Sequence, residues 1–162
     1  MRVWKLPDDV DTDQLAPASS LKFEIEVMAR HCLESVRPGC AGKVERGDVI
    51  VAGENFGVGS SREEAAAVLV YLGVAGVIAP SFAGLYYRNA FNVGLLLLTC
   101  PQASLIEDGE AIEFDARAAR VTRINVSAPH DQLMCQPIPE FLLDRVEAGG
   151  LLPQLKVRLA QR

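Results

Sequence analysis

At 162 residues, 49% of them apolar, the chain has the length of one domain, residues 1–162, with enough apolar material for a sizeable core. Its formal charge of −5, without any basic run, argues against nucleic acid as a partner. No apolar stretch reaches the ~20 residues of a membrane-spanning helix, so no membrane association is expected.

In chain order, Met1 to Pro7 has neither the apolar region nor the cleavage pattern of a secretory signal, which makes the cytoplasm the expected compartment. Arg2 to Leu6 alternates and predicts a first strand. The loop that follows crowds Asp8, Asp9, Asp11 and Asp13. Turn chemistry and capping account for them better than a metal loop, because a calcium hand needs a longer acid pattern ending in Glu. Over Glu24 to Ser35, Ile25, Met28, Ala29, Cys32 and Leu33 share one helical face, with His31 beside the stripe and Pro38-Gly39 ending the segment. Asp48 to Ala52 reads as a strand, Ala65 to Leu72 as a helix stopped by Gly73, and Val74 to Ala79 as a strand. Ser81 to Phe91 predicts a helix with Ser81 as N-cap, and Leu95 to Thr99 a buried strand. Within that helix Tyr86 and Tyr87 read as core, while Arg88 and Asn89 are the less ordinary pair. Ala111 to Asp115 and Arg120 to Ile124 predict paired short strands, and Pro139 to Ala148 a helix followed by Gly149-Gly150. Strands alternating with helices imply an α/β domain with right-handed crossovers, an at least partly parallel sheet and added antiparallel strands. Cys32, Cys40, Cys100 and Cys135 are dispersed without a Cys-x-x-Cys pair and read as small core residues, so no metal is expected on this chain.

The chemistry concentrates in Gly53-Glu54-Asn55-Phe56-Gly57-Val58-Gly59-Ser60-Ser61-Arg62-Glu63-Glu64, between a strand and a helix start. Its glycines let the backbone approach a ligand, and Ser60, Ser61 and Arg62 stand where helix N–H groups and the dipole favour an anion. A dinucleotide fingerprint fails because Arg62 occupies the third glycine place and Ala79-Pro80-Ser81 offers no ribose-binding acid. A phosphate-binding P-loop fails for want of a lysine after Gly59. Both Ser60-x-x-Glu63 and Ser61-x-x-Glu64 match a capping box, yet only one serine can cap. The other serine stays unexplained, as does Arg62, whose charge in a first helical turn opposes the dipole by about 0.3–1 kcal/mol and points to an anionic partner.

Gly-x-Asn-Phe-Gly-x-Gly-Ser-Ser-Arg-Glu resembles the signature of the aconitase superfamily's swivelling domain, and closely its free-standing form, the small subunit of 3-isopropylmalate dehydratase and homoaconitase. Asp9 to Gln14, Ser81-Phe82-Ala83 with Tyr87-Arg88-Asn89, and Gly149 to Pro153 agree in type and order, so the resemblance spans nearly the whole chain. Val58 replaces the usual Cys, Glu64 the usual His, and Ser20 the aromatic that commonly precedes Leu21. The resemblance implies a three-layer β/β/α swivelling fold and a hydro-lyase active only with an aconitase-like large subunit, as a heterodimer or higher assembly. A [4Fe-4S] cluster is then expected in that partner and no cofactor on this chain. By the same resemblance Ser60 is the catalytic base, and Ser61, Arg62, Gly59 and Asn55 bind a small hydroxy-carboxylate substrate.

The resemblance further places substrate choice in Ser20, Leu21, Lys22 and Phe23. An apolar residue after the leucine suits an isopropyl arm and a cation suits a carboxylate arm; here the residue is Lys22, between apolar Leu21 and Phe23. Isomerisation of 3-isopropylmalate in leucine biosynthesis is the expected reaction, with homoaconitase or another alkylmalate or tricarboxylate dehydratase as the alternative. A non-catalytic anion-binding regulatory module ranks lower. A serine hydrolase ranks last, because it would need His31 or His130 placed against Ser60.

Overall fold

A computed structural model describes residues 1–127 and 131–160. In chain order the elements are β1 (Val3–Lys5), α1 (Thr12–Leu15), α2 (Ile25–Arg30), β2 (Val49–Val51), α3 (Glu64–Tyr71), β3 (Gly76–Ala79), α4 (Gly84–Val93) and β4 (Leu97–Thr99). They are followed by β5 (Ile112–Asp115), β6 (Arg120–Arg123), β7 (Gln132–Met134), α5 (Glu140–Glu147) and α6 (Leu151–Ala160). Among the described residues no helix is long and apolar enough to cross a membrane.

Two sheets organise these elements. β1-β2-β3-β4 pair in that order and all in parallel, with Trp4 opposite Ile50, Ile50 opposite Val77, and Val77 opposite Leu97. Every parallel neighbour is reached through a helical crossover, as the geometry of parallel pairing demands. Val49, Ile50, Val51, Val77, Ile78, Leu97 and Leu98 are all fully buried, the apolar run of a sheet covered on both faces. The second sheet, β5-β6-β7, is wholly antiparallel, and β5 alternates buried Ile112 with exposed Glu113, as a one-sided sheet should. The expected partly parallel sheet is thus resolved into one parallel and one antiparallel sheet, which with the helices make up the α/β architecture.

The antiparallel sheet is fastened to both edges of the parallel one. At the β1 edge, Val3 N donates to Glu110 O (2.9 Å) and Ile112 N to Met1 O (2.9 Å). At the β4 edge, Gln136 N donates to Thr99 O (2.7 Å). Trp4 on β1 donates its indole N–H to the buried carboxylate of Asp48 (2.7 Å), while the guanidinium groups of Arg2 and Arg37 lie 4.7 and 4.5 Å from its ring centroid. Arg37 also forms a two-bond pair with Asp108 (2.6 and 2.9 Å), whose carboxylate accepts the Lys5 amide as well. These groups satisfy the outer edge of β1 and leave less of it open to a foreign strand.

Two local expectations are corrected, and three elements are added to those expected. The helix foreseen over Glu24 to Ser35 ends at Arg30, because Leu33 adopts a left-handed φ of 61° and turns its amide to Gln14 O (2.8 Å). Its inner face is nonetheless buried, since Cys32 and Leu33 reach the core from the turn. Ser81 caps nothing: α4 starts at Gly84 with Ala83 as N-cap and no side-chain bond. Strand β7 and helices α1 and α6 were not foreseen, although Asp11 and Gln14 form a complete capping box on α1.

The hydrogen bonds from Arg37 hold the Asp108 carboxyl down at a pKa of about 2, below its unfolded value near ~4. The pair's contribution is therefore complete above pH ~4 and is lost as pH falls through about 2. Thermal melts between pH ~5 and ~2 should show Tm falling less steeply in Asp108→Asn than in wild type, with the variant less stable at pH ~5. Parallel curves would deny the pair a stabilising role.

Candidate active site

Between β2 and α3 the chain runs through residues 53–63 as an irregular loop. Asn55 (φ 60°), Gly57 (φ 80°) and Gly59 (φ 111°) all take left-handed backbone, which excludes strand and helix alike. At Gly57 the requirement is absolute, because a Cβ there would stand 2.1 Å from Cγ of Tyr86. Phe56 anchors the loop from below. It is fully buried, packed edge-on against Phe82 (6.2 Å) and Tyr86 (5.4 Å), and its backbone bonds to Ser81 O and Ala83 N. Asn55 is engaged on both sides: its amide N–H donates to Ser81 Oγ (2.8 Å) and its side-chain nitrogen to Asp9 (2.8 Å). The Ser81 hydroxyl in turn donates to Glu54.

Neither serine caps α3. The N-cap is Glu63, without a side-chain bond, so both capping-box expectations fail and Ser60, Ser61 and Arg62 stand ahead of the helix. Each is held from elsewhere in the fold. Ser60 N donates to the buried Thr12 Oγ1 (3.0 Å), Ser61 O accepts from Asn89 Nδ2 (3.0 Å), and Arg62 pairs with Asp13 and donates to Ala16 O (3.1 Å). The second terminal nitrogen of Arg62 faces Ser60 Oγ at 3.5 Å. Arg62 therefore does not oppose a helix dipole from within the first turn. Its charge is met inside the chain, and its hydrogen bond holds the Asp13 carboxyl below the usual carboxylate range. Thr12, Asp13 and the Ala16 carbonyl escaped sequence reasoning, which read the acids only as turn and cap residues.

Ser60 and Ser61 are exposed, while the Arg62 side chain is mostly enclosed, at 18% exposure. An exposed hydroxyl beside a guanidinium that keeps donors to spare has the chemistry to bind a carboxylate. Ser60 Oγ meets Arg62 and no histidine among the described residues; His31 lies elsewhere, lining a crevice, and His130 lies outside the described residues. A serine hydrolase thus gains no support. Among the described residues no group of three or more His, Cys, Asp or Glu side chains is placed to hold a metal, and all four cysteines are buried.

The residues assigned to substrate choice differ in exposure. Ser20 is buried, its hydroxyl turned back to Pro17 O (2.7 Å), whereas Leu21, Lys22 and Phe23 are exposed. The Lys22 ammonium lies 5.2 Å from the Phe23 ring centroid. Ser20, Lys22 and Phe23 line a crevice of about 500 Å³ with Pro17, His31 and Glu34. Pro17 follows Ala16, whose carbonyl Arg62 holds, so the crevice and the serine loop are joined through one guanidinium. Of the positions that depart from the family pattern, Val58 accepts the Thr12 amide (2.9 Å) through its backbone and Glu64 is the exposed first residue of α3.

Residues 41–103 match the Aconitase C-terminal domain family. The chain is similar to "3-isopropylmalate dehydratase small subunit 1" of Methanopyrus kandleri, with 43% identity over 96% of this chain and 91% of that one. It is 42% identical to "3-isopropylmalate dehydratase small subunit" of Halothermothrix orenii, over 96% of this chain and 93% of the other. The crystal structure of 3-isopropylmalate dehydratase from Methanocaldococcus jannaschii superposes with a TM-score of 0.90 at 40% identity, covering 99% of this chain and 95% of its own.

The packing of Gly57 on Tyr86 predicts a large penalty for one added methyl. Gly57→Ala combines a left-handed alanine with overpacking and should lower unfolding free energy by about 2–4 kcal/mol. Urea denaturation measures this, and a cost near zero would show that the loop moves away from Tyr86 freely.

Proposed function

The chain belongs to the family of 3-isopropylmalate dehydratase small subunits, and from that premise we propose how its serine loop takes part in the family's reaction. The reaction is the isomerisation of 3-isopropylmalate in leucine biosynthesis, by loss of water and its return in the opposite orientation. The observation that carries the reading is the Arg62 guanidinium, anchored on Asp13 and Ala16 O and facing Ser60 Oγ at 3.5 Å on an open surface. Ser60 removes the proton from the carbon next to a substrate carboxylate, and the electron pair left behind forms the alkene as the neighbouring hydroxyl departs. On rehydration the protonated Ser60 returns a proton to carbon.

A serine hydroxyl is a weak acid, so its alkoxide needs stabilising charge. A guanidinium about 4 Å away contributes roughly 4 kcal/mol at an effective dielectric of ~20, partly offset by Asp13. Since α3 begins only at Glu64, Arg62 supplies this charge more directly than the helix end does. The remaining donors of Arg62 and the Ser61 hydroxyl grip the substrate carboxylate and fix which face of the carbon meets Ser60. Gly59 leaves room for Thr12, which holds the Ser60 amide, and Asn55, committed to Asp9 and Ser81, supports the shape of the loop. The described residues do not suit a [4Fe-4S] cluster, which we assign to the large subunit together with the other wall of the site.

One observation favours a second substrate reading. Lys22 lines the crevice beside Phe23 and His31, a setting that suits an arm ending in carboxylate, as in a homoaconitase, as well as an alkyl arm against Phe23.

In the assembled two-chain enzyme, Ser60→Ala should reduce kcat by about 10²–10⁴-fold. Tm and subunit assembly should be nearly unchanged, because the side chain is exposed. Near-normal kcat would leave Ser60 without a chemical role. For substrate choice, Lys22→Val should depress kcat/KM for homoisocitrate more than for 3-isopropylmalate if Lys22 reads an anionic arm. Equal effects on both substrates would remove Lys22 from specificity.

A further inference from the structure

The Ser60–Arg62 segment belongs to no helix or strand, so its geometry comes only from what other elements impose on it. Two sets of tethers, Thr12 at the Ser60 amide and Asp13 with Ala16 O at the Arg62 side chain, come from α1 and its C-cap. The third comes from α4, where Asn89 donates its side-chain N–H to Ser61 O at 3.0 Å. Asn89 lies three residues after Tyr86, on the same face of that helix. Tyr86 packs under Gly57, and its hydroxyl reaches Ala65 O at 3.4 Å. One face of α4 therefore meets the loop and the start of α3 at residues 57, 61 and 65, and Asn89 is its single polar contact with the serine pair.

Resting on the function proposed above, we infer that Asn89 is a positioning residue for Ser60. The serine pair is pinned on both sides, by Thr12 at the Ser60 amide, in the peptide from Gly59, and by Asn89 at the Ser61 carbonyl, in the peptide to Arg62. Through these two bonds the backbone sets where Ser60 Oγ lies. Arg62 has anchors of its own in Asp13 and Ala16 O, so loss of the Asn89 bond displaces the serines, the base among them, and leaves the guanidinium's share of the carboxylate grip in place. Asn89 is only half-buried and lies outside the apolar core, so its bond contributes little to overall stability. Its effect is read in the rate.

The test uses the assembled two-chain enzyme with 3-isopropylmalate, comparing wild type, Asn89→Ala, Asn89→Asp and Ser60→Ala. Asn89→Asp keeps the shape of the side chain, but at neutral pH it replaces the donor with a carboxylate facing a carbonyl. Both Asn89 variants should lose about 10- to 100-fold in kcat, a misplacement penalty, with Asp no better than Ala. KM should change less than kcat, and Tm and assembly with the large subunit should stay close to wild type. Wild-type kcat in Asn89→Asp would overturn the inference, and so would a loss of activity that only follows loss of assembly. If Ser60→Ala is inactive while the Asn89 variants are normal, this inference fails alone. If Ser60→Ala is active, the function assigned to the loop fails and this inference fails with it.

Discussion

The segment from Asp11 to Ala16 lies alongside Val58 to Arg62, and this juxtaposition shapes the site more than any regular element does. Asp11 bridges Val58, the Thr12 amide bonds Val58 O, the Thr12 hydroxyl accepts the Ser60 amide, and Asp13 with Ala16 O receives Arg62. The two segments lie in successive crossovers of the parallel sheet, so pairing β1 with β2 is what brings them together. Thr12 is fully buried and Gly59 carries no side chain, which lets the two backbones approach; a Cβ on Gly59 would stand 3.0 Å from Thr12 Oγ1.

Charge is distributed to match. The chain is acidic overall, and Glu63 and Glu64 follow Arg62 directly, so the loop offers no broad positive field. In the proposed site, selectivity for an anion is confined to one enclosed guanidinium whose cost of burial is already offset by Asp13. A carboxylate binding there meets donors fixed in direction, and little side-chain ordering remains to be done when it arrives. The exposed serines face outward from this anchor, which fits an active surface completed by a second protein.

Sequence patterns told much about this fold for reasons that lie within a few residues of each other. The apolar runs of β2 to β4, the Gly-rich break after β2 and the proline and glycines bounding α5 are all local signals. The failures have a common origin as well. Ser60-x-x-Glu63 and Ser61-x-x-Glu64 satisfy a capping pattern, but Thr12, Asp13 and Asn89 engage residues 60–62 and the helix starts late. Leu33 ends its helix early because its amide turns to Gln14 O, a partner from another element. In each case a tertiary bond outweighed a local preference of a fraction of a kcal/mol to about 1 kcal/mol.

By itself the sequence determined the α/β class, the order of β1 to β6 with α2 to α5, the burial of the cysteines and the loop in which Ser60, Ser61 and Arg62 would be found. Backbone preference, side-chain periodicity and the glycine spacing act over short stretches and can be read along the chain. Only the tertiary structure decided that Arg62 rests on Asp13, that a buried Ser20 lines one crevice with exposed Lys22 and Phe23, and that Asn89 holds the Ser61 carbonyl. Those contacts join residues far apart in the chain, and nothing local distinguishes the acid or amide that finds a partner from its neighbours that do not. Their pairing is set by which crossovers stack side by side once the parallel sheet has formed.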